Sequence, residues 1–220
     1  MKRLRVIPVV AVAAVGLGVF VPAQANPDFS PSVHFALSKT KVKANPKINI
    51  TVSQDPNEDS LKSIEFDIPR GFQLPSDAAI KDGEKLGQGN IKVAFQFFGC
   101  SQQAQGNFNA SITERDRKQD EISQGVKAVW VVDLQFAQID LKIYGSRTRG
   151  WKLKAAIPPE STQATCPPFT FSGALNETSS DSHTPIWRNP RLPGPRVLTG
   201  KFTSTKGQTV AVRQRVKIHA

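Results

Sequence analysis

The chain has 220 residues, a formal net charge of +11, two cysteines and three histidines. His34, His183 and His219 share no ligand spacing and no Cys-x-x-Cys occurs, which excludes a zinc site of the paired-ligand kind and a dithiol redox motif. With 16 Pro and 15 Gly breaking the chain at short intervals, the composition favours all-β structure.

Residues 1–25 begin with Lys2, Arg3 and Arg5, continue through an apolar run over 6–21 and end in Ala23-Gln24-Ala25, the small-residue spacing a signal peptidase reads. This predicts a signal peptide removed after Ala25 and a secreted protein, extracellular or held non-covalently at the cell envelope. A transmembrane anchor fits less well, because Pro8, Gly16, Gly18 and Pro22 break the run and no basic stop-transfer cluster follows. Outside the cytoplasm, two cysteines predict a disulfide between Cys100 and Cys166, worth about 4 kcal/mol of loop-closure stabilisation.

Phe35 and Leu37 alternate with polar neighbours, and the run 47–53 buries Ile48, Ile50 and Val52, giving two strands joined by a basic connector. A turn over 54–60 leads into Ser63-Ile64-Glu65-Phe66-Asp67-Ile68, a half-buried strand that Pro69 stops and Gly71 turns. Residues 75–83 could form a helical turn but read as a decorated loop. Ile91, Val93, Phe95 and Phe97 form the next alternating strand; the glycines before it lack the Gly-Lys-Ser/Thr of a phosphate loop.

The stretch 101–125 is polar and carries mixed charges from Glu114 to Glu121, which predicts a solvated loop or hairpin tip. Residues 126–136 are apolar on both faces and predict a central strand covered on both sides. Ile139, Leu141 and Ile143, then Trp151, Leu153, Ala155 and Ile157, predict two antiparallel strands with a turn over 145–150. After Cys166 a short strand covers 169–171. Residues 176–196, rich in Ser, Pro and Arg, predict a long loop, and 197–203 and 209–218 a closing hairpin through Lys206-Gly207.

Asn45-Pro46-Lys47-Ile48-Asn49-Ile50-Thr51-Val52, Leu61-Lys62-Ser63-Ile64, Ile68-Pro69-Arg70-Gly71-Phe72 and Leu86-Gly87-Gln88-Gly89 resemble a pattern in uncharacterised secreted β-sandwich proteins of high-GC Gram-positive bacteria. The resemblance covers about residues 45–93. It implies export and a β-sandwich, and no catalytic residue.

Glu65 and Asp67 share one strand face, and Glu65-Phe66-Asp67-Ile68-Pro69-Arg70 looks like the Glu-x-Asp-x-x-Glu motif of family 16 β-glucanases with Arg70 in place of the acid. A retaining glycosidase needs two carboxyl groups about 5 Å apart, so this departure removes the proton donor. A serine-hydrolase reading has neither Gly-x-Ser-x-Gly nor a local base. The basic surplus points elsewhere: Arg147 and Arg149 precede Trp151, and Arg188, Arg191 and Arg196 follow Trp187 in the Pro-rich loop.

An exposed Trp187 among arginines would be an anchor for an anionic envelope polymer or a membrane surface. Nucleic acid suits neither the compartment nor the motifs. The sequence therefore predicts one antiparallel β-sandwich, Ig-like or jelly-roll-like, over 26–220 with one disulfide; two small sandwiches divided near Gly125 are the alternative. Its expected role is that of an exported non-catalytic protein binding anionic envelope or extracellular material, without cofactor or metal. The alternative is a secreted polysaccharide hydrolase.

Overall fold

Period-two alternation of apolar and polar side chains recurs from Ser32 to Ile218, and each repeat that can bury one face against another becomes a strand. The computed structural model describes residues 29–54, 58–74, 80–97, 102–134, 137–157, 165–175 and 186–220. The strands are β1 (Ser32–Leu37), β2 (Ile48–Ser53), β3 (Leu61–Ile68), β4 (Lys85–Phe97), β5 (Gln102–Arg115), β6 (Ala128–Asp133), β7 (Gln138–Ser146), β8 (Gly150–Ala156), β9 (Thr165–Leu175), β10 (Gly194–Ser204) and β11 (Thr209–Ile218). Among the described residues there is one short helix, α1 (Gln119–Ser123), between β5 and β6. The fold is all-β and antiparallel.

Hydrogen bonding runs through the strands in the order β1-β2-β9-β4-β5-β6-β7-β8-β3-β10-β11. Strands β4 to β8 form a meander, into which β3 and β9 add one strand at either side. The sheet doubles back on itself: Phe35 of β1 meets Phe66 of β3 edge-on at 5.6 Å, although these strands stand far apart in the hydrogen-bonded order. Phe66 in turn meets Phe202 of β10 at 6.4 Å. With eleven strands joined by ten antiparallel pairings, the two end strands run the same way where they meet.

Gln214 of β11 closes that seam, accepting from the Phe35 amide at 2.6 Å and donating to the Phe35 carbonyl at 2.8 Å. The backbone continues the closure where Val42 donates to His219 and His219 to Thr40, each at 2.8 Å. A side-chain amide here does the work of a peptide group, satisfying edge groups that would otherwise need water.

One core fills the space between the walls, built from alternate residues of strands across the sheet: Ile48 and Ile50, Ile64 and Phe66, Trp130, Leu141 and Ile143, Leu153, Leu198 and Phe202. Strand β6, sixth of the eleven, is covered on both faces at Val129 and Trp130, both fully buried. This matches its continuous apolar run.

Three expectations need correction. The polar stretch 101–125 is largely the 14-residue strand β5 followed by α1. Its neutral Gln and Asn tolerate a ladder, and the charged cluster caps the strand rather than forming a hairpin tip. Strand β9 is 11 residues long and runs through Pro167 and Pro168, which lack ladder donors but fall in a bulge where pairing steps from Val93–Phe169 to Ala94–Cys166. The loop expected over 176–196 ends earlier, because β10 begins at Gly194 and residues 186–190 are stitched to the body. The expected signal peptide over 1–25, residues 75–79 of the loop expected over 75–83, and Cys100 lie outside the described residues, so the Cys100–Cys166 bond is not shown.

Candidate functional site

Pro69 ends β3 because it cannot donate to the ladder, and the chain turns through Arg70 and Gly71 at one end of the sheet. Gly71 adopts φ +99°, and a Cβ there would come within 3.1 Å of Pro190. Its amide donates to the Arg147 carbonyl at 2.8 Å, tying the β3 end to the β7–β8 turn. Gly150, at φ +94°, lets that turn close on β3, since a Cβ would stand 2.7 Å from the Ile68 carbonyl oxygen.

Residues 186–190 complete this end of the molecule. Arg188 and Gln73 exchange backbone hydrogen bonds, and the Asn189 side chain donates to the carbonyls of Lys39 and Lys41 at 2.9 Å each. Trp187 is 2% exposed and packs on Phe72 with ring centroids 5.0 Å apart. Trp151 is also buried, and its Nε1–H donates to the Phe72 carbonyl at 2.9 Å. Both tryptophans therefore converge on Phe72 beneath the surface. The expected exposed anchor at Trp187 is corrected: it is a plug, because the polar composition of its own segment says nothing of the apolar neighbours folding brings to it.

The arginines around this plug are what remains at the surface. Residues 69–71, 147–148, 190–193 and 195–197 line an open groove of about 1010 Å³. Arg70, Arg147, Arg191 and Arg196 stand in it, with Leu192 72% exposed and Val197 46% exposed between them. Arg196 is held in place by donating to the carbonyls of Pro195 at 2.9 Å and Leu192 at 3.0 Å. Among the described residues, none of the four guanidinium groups is paired with a carboxylate, and no acidic residue lines the groove. A concave site that gathers four cations, with no anion among the described residues that line it, can hold an anion.

Of the residues the sequence singles out, Arg147, Arg191 and Arg196 meet in the groove. Arg149 is exposed on the same turn outside it, and Arg188 donates from Nε to the Lys43 carbonyl at 3.2 Å. Arg70 was missed as a binding residue. Its only local signal is its place after Pro69 and before a turn glycine, and nothing in the chain announces that this turn meets Arg147.

Glu65 and Asp67 lie on the outer wall, away from the core that Phe66 enters. Cross-strand pairing sets Glu65 between Lys201 of β10 and Lys154 of β8, and Asp67 opposite Lys152. Lys152 approaches Glu65 at 2.7 Å and Asp67 at 2.6 Å; Lys201 reaches both, at 3.2 and 2.9 Å, and Lys154 reaches Glu65 at 3.0 Å. Partial burial works to raise the Glu65 pKa, but the hydrogen bonds from Lys152, Lys154 and Lys201 outweigh it and lower the group to about 2. Two carboxylates locked in a lysine ladder serve as cross-strand pairing, and the third position of the glucanase-like motif, Arg70, belongs to the groove.

Glu65→Gln is expected to cost at most about 1 kcal/mol at neutral pH, as half-exposed ion pairs do. Because the folded pKa is depressed, the stabilisation is present above about 4.5 and is lost as pH falls toward about 2. Urea midpoints of the two proteins should converge across that window; a gap that persists in acid would contradict the assignment.

Among the described residues, no group of three His, Cys, Asp or Glu side chains is placed to hold a metal ion. The sequence matches no protein-family model and no curated protein.

Proposed function

We propose that this is an exported, non-catalytic protein that holds anionic cell-envelope or extracellular material in the arginine groove. The observation that carries the reading is the convergence of Arg70, Arg147, Arg191 and Arg196 from three separate segments on one concave surface that, among the described residues, no acid lines. Guanidinium groups stay charged at any physiological pH and present planar forks suited to phosphate or carboxylate oxygens.

The test is binding of purified anionic wall polymer and of anionic vesicles by the wild type and by the fourfold Arg→Ala variant at positions 70, 147, 191 and 196. At about 1 kcal/mol per surface cation, the variant should bind on the order of 1,000-fold more weakly with its melting temperature little changed. Wild-type binding should fade with salt as the Debye length falls from about 10 Å at 0.1 M to about 3 Å at 1 M. A folded variant that binds as well as the wild type would sink the reading.

We also propose that the curled sheet is a flattened sandwich, its opposite walls packed through contacts such as that of Phe35 on Phe66, and that Cys100 bonds Cys166 outside the cytoplasm. The native protein should then show almost no free thiol; a count near two would refute the bond.

A further inference from the structure

We infer that the groove is one end of a longer track that continues along the outer face of β11, and that its ligand is an extended phosphodiester chain rather than a single anionic group. This rests on the groove being the anion site. Arg213, Arg215 and Lys217 alternate along β11, so all three side chains leave the same face, and all three are exposed. Along a strand, alternate residues repeat at about 7 Å, which sets three cations in a line.

Pairing with β10 joins that line to the groove. Lys217 stands opposite Pro195 and Arg215 opposite Val197, and both Pro195 and Val197 line the groove; Arg213 follows opposite Thr199. Directly opposed side chains have Cβ atoms about 5 Å apart, so the step from groove to stripe is one side chain wide. Among the described residues, none of the three is paired with a carboxylate. Glu65 and Asp67 on β3 lie beyond β10 from this line and are already held by three lysines.

The shape of the array selects the ligand. A headgroup or free phosphate offers one anionic centre and would leave most of the line unused, whereas a phosphodiester backbone carries one charge per repeat along its length. Arginine dominates the track, and its fork matches two phosphate oxygens at once. The exposed apolar surface of Leu192 and Val197 suits the carbon linkers between phosphates.

The experiment compares sn-glycerol phosphate with long poly(glycerol phosphate) for three proteins: the wild type, the groove fourfold Arg→Ala variant, and the β11 variant Arg213→Gln, Arg215→Gln, Lys217→Gln. The wild type should bind the polymer far more tightly than the monomer. The β11 variant should lose about 10-fold or more of its polymer affinity, and its log–log salt slope should fall by about 2, from three contacts at roughly 0.7 each. Its monomer binding should not change. If the triple variant fails to fold, the single Arg215→Gln variant should show the same pattern with a slope change of about 0.7.

A β11 variant that keeps full polymer affinity and slope, while the groove variant loses both ligands, would overturn the track and leave the stripe as a charged guard of an edge strand. A groove variant that keeps both ligands would instead refute the groove itself. Wild-type binding to phosphatidylglycerol vesicles with no affinity for the polymer would overturn the polymer and make a membrane surface the ligand.

Discussion

Trp187→Ala should destabilise the protein by about 3–5 kcal/mol, the range for emptying a large aromatic site in a core, and lower the melting temperature by on the order of 10 °C. The side chain is among the largest that are fully buried, and it covers Phe72, which is itself 0% exposed and receives the Trp151 indole at its carbonyl. Removing it opens the end of the core at the place where three segments meet. Trp187 Nε1 has no hydrogen-bond partner among the described residues, so its contribution is packing. Trp187→Phe should therefore recover more than half of the loss. At a temperature where both variants are folded, anion binding should fall only as far as the 191–197 segment loosens. If Trp187→Ala abolishes binding with no loss of stability, the side chain is an anchor after all and its burial is misassigned.

How much of this was legible in the sequence depends on whether the cause is local. Strand β3 reads directly, because Ile64, Phe66 and Ile68 alternate with acids and Pro69 marks the end. Strand β6 reads as central because both of its faces are apolar, and the β10–β11 hairpin reads from its alternation around Lys206-Gly207. Strand β5 does not, because its first half offers glutamines and asparagines whose strand character comes only from pairing with β4. Strand β9 hides behind two prolines that a bulge accommodates. At the site, three arginines are visible as a basic surplus, but Arg70 joins them through a Gly71–Arg147 hydrogen bond that sequence spacing cannot express. Trp187 was misplaced for the same reason: its neighbour Phe72 comes from the other half of the chain.

Glu121→Gln should cost about 3 kcal/mol at neutral pH, the cost of breaking a buried charged pair by removing one partner. Arg115, Val129 and Lys142 form one cross-strand row on the outer wall of β5, β6 and β7, and α1 lays Glu121 over it. Both oxygens are engaged: Arg115 donates to Oε2 at 2.9 Å and to Oε1 at 2.7 Å, Lys142 approaches Oε1 at 3.0 Å, and the Lys118 amide donates to Oε2 at 2.9 Å. The side chain is 2% exposed, so these partners act in a weakly screened setting. A carboxamide keeps one acceptor for the Lys118 amide but turns its NH₂ toward a guanidinium and an ammonium, and leaves Arg115 with the Asp140 carboxylate at 2.5 Å and the Asp116 carbonyl at 2.9 Å.

The pH dependence identifies the charge as the cause. Hydrogen bonding from Arg115 holds Glu121 far below the usual carboxylate range, against the opposing effect of burial. A depressed folded pKa means that the stabilisation is fully present above the unfolded value of about 4.5 and is lost progressively as pH falls below it. Thermal melts of wild type and Glu121→Gln should thus differ most at neutral pH and draw together in acid. A constant difference at every pH would assign the loss to helix capping and packing, and would remove the buried charge from the account of what pins α1 to the sheet.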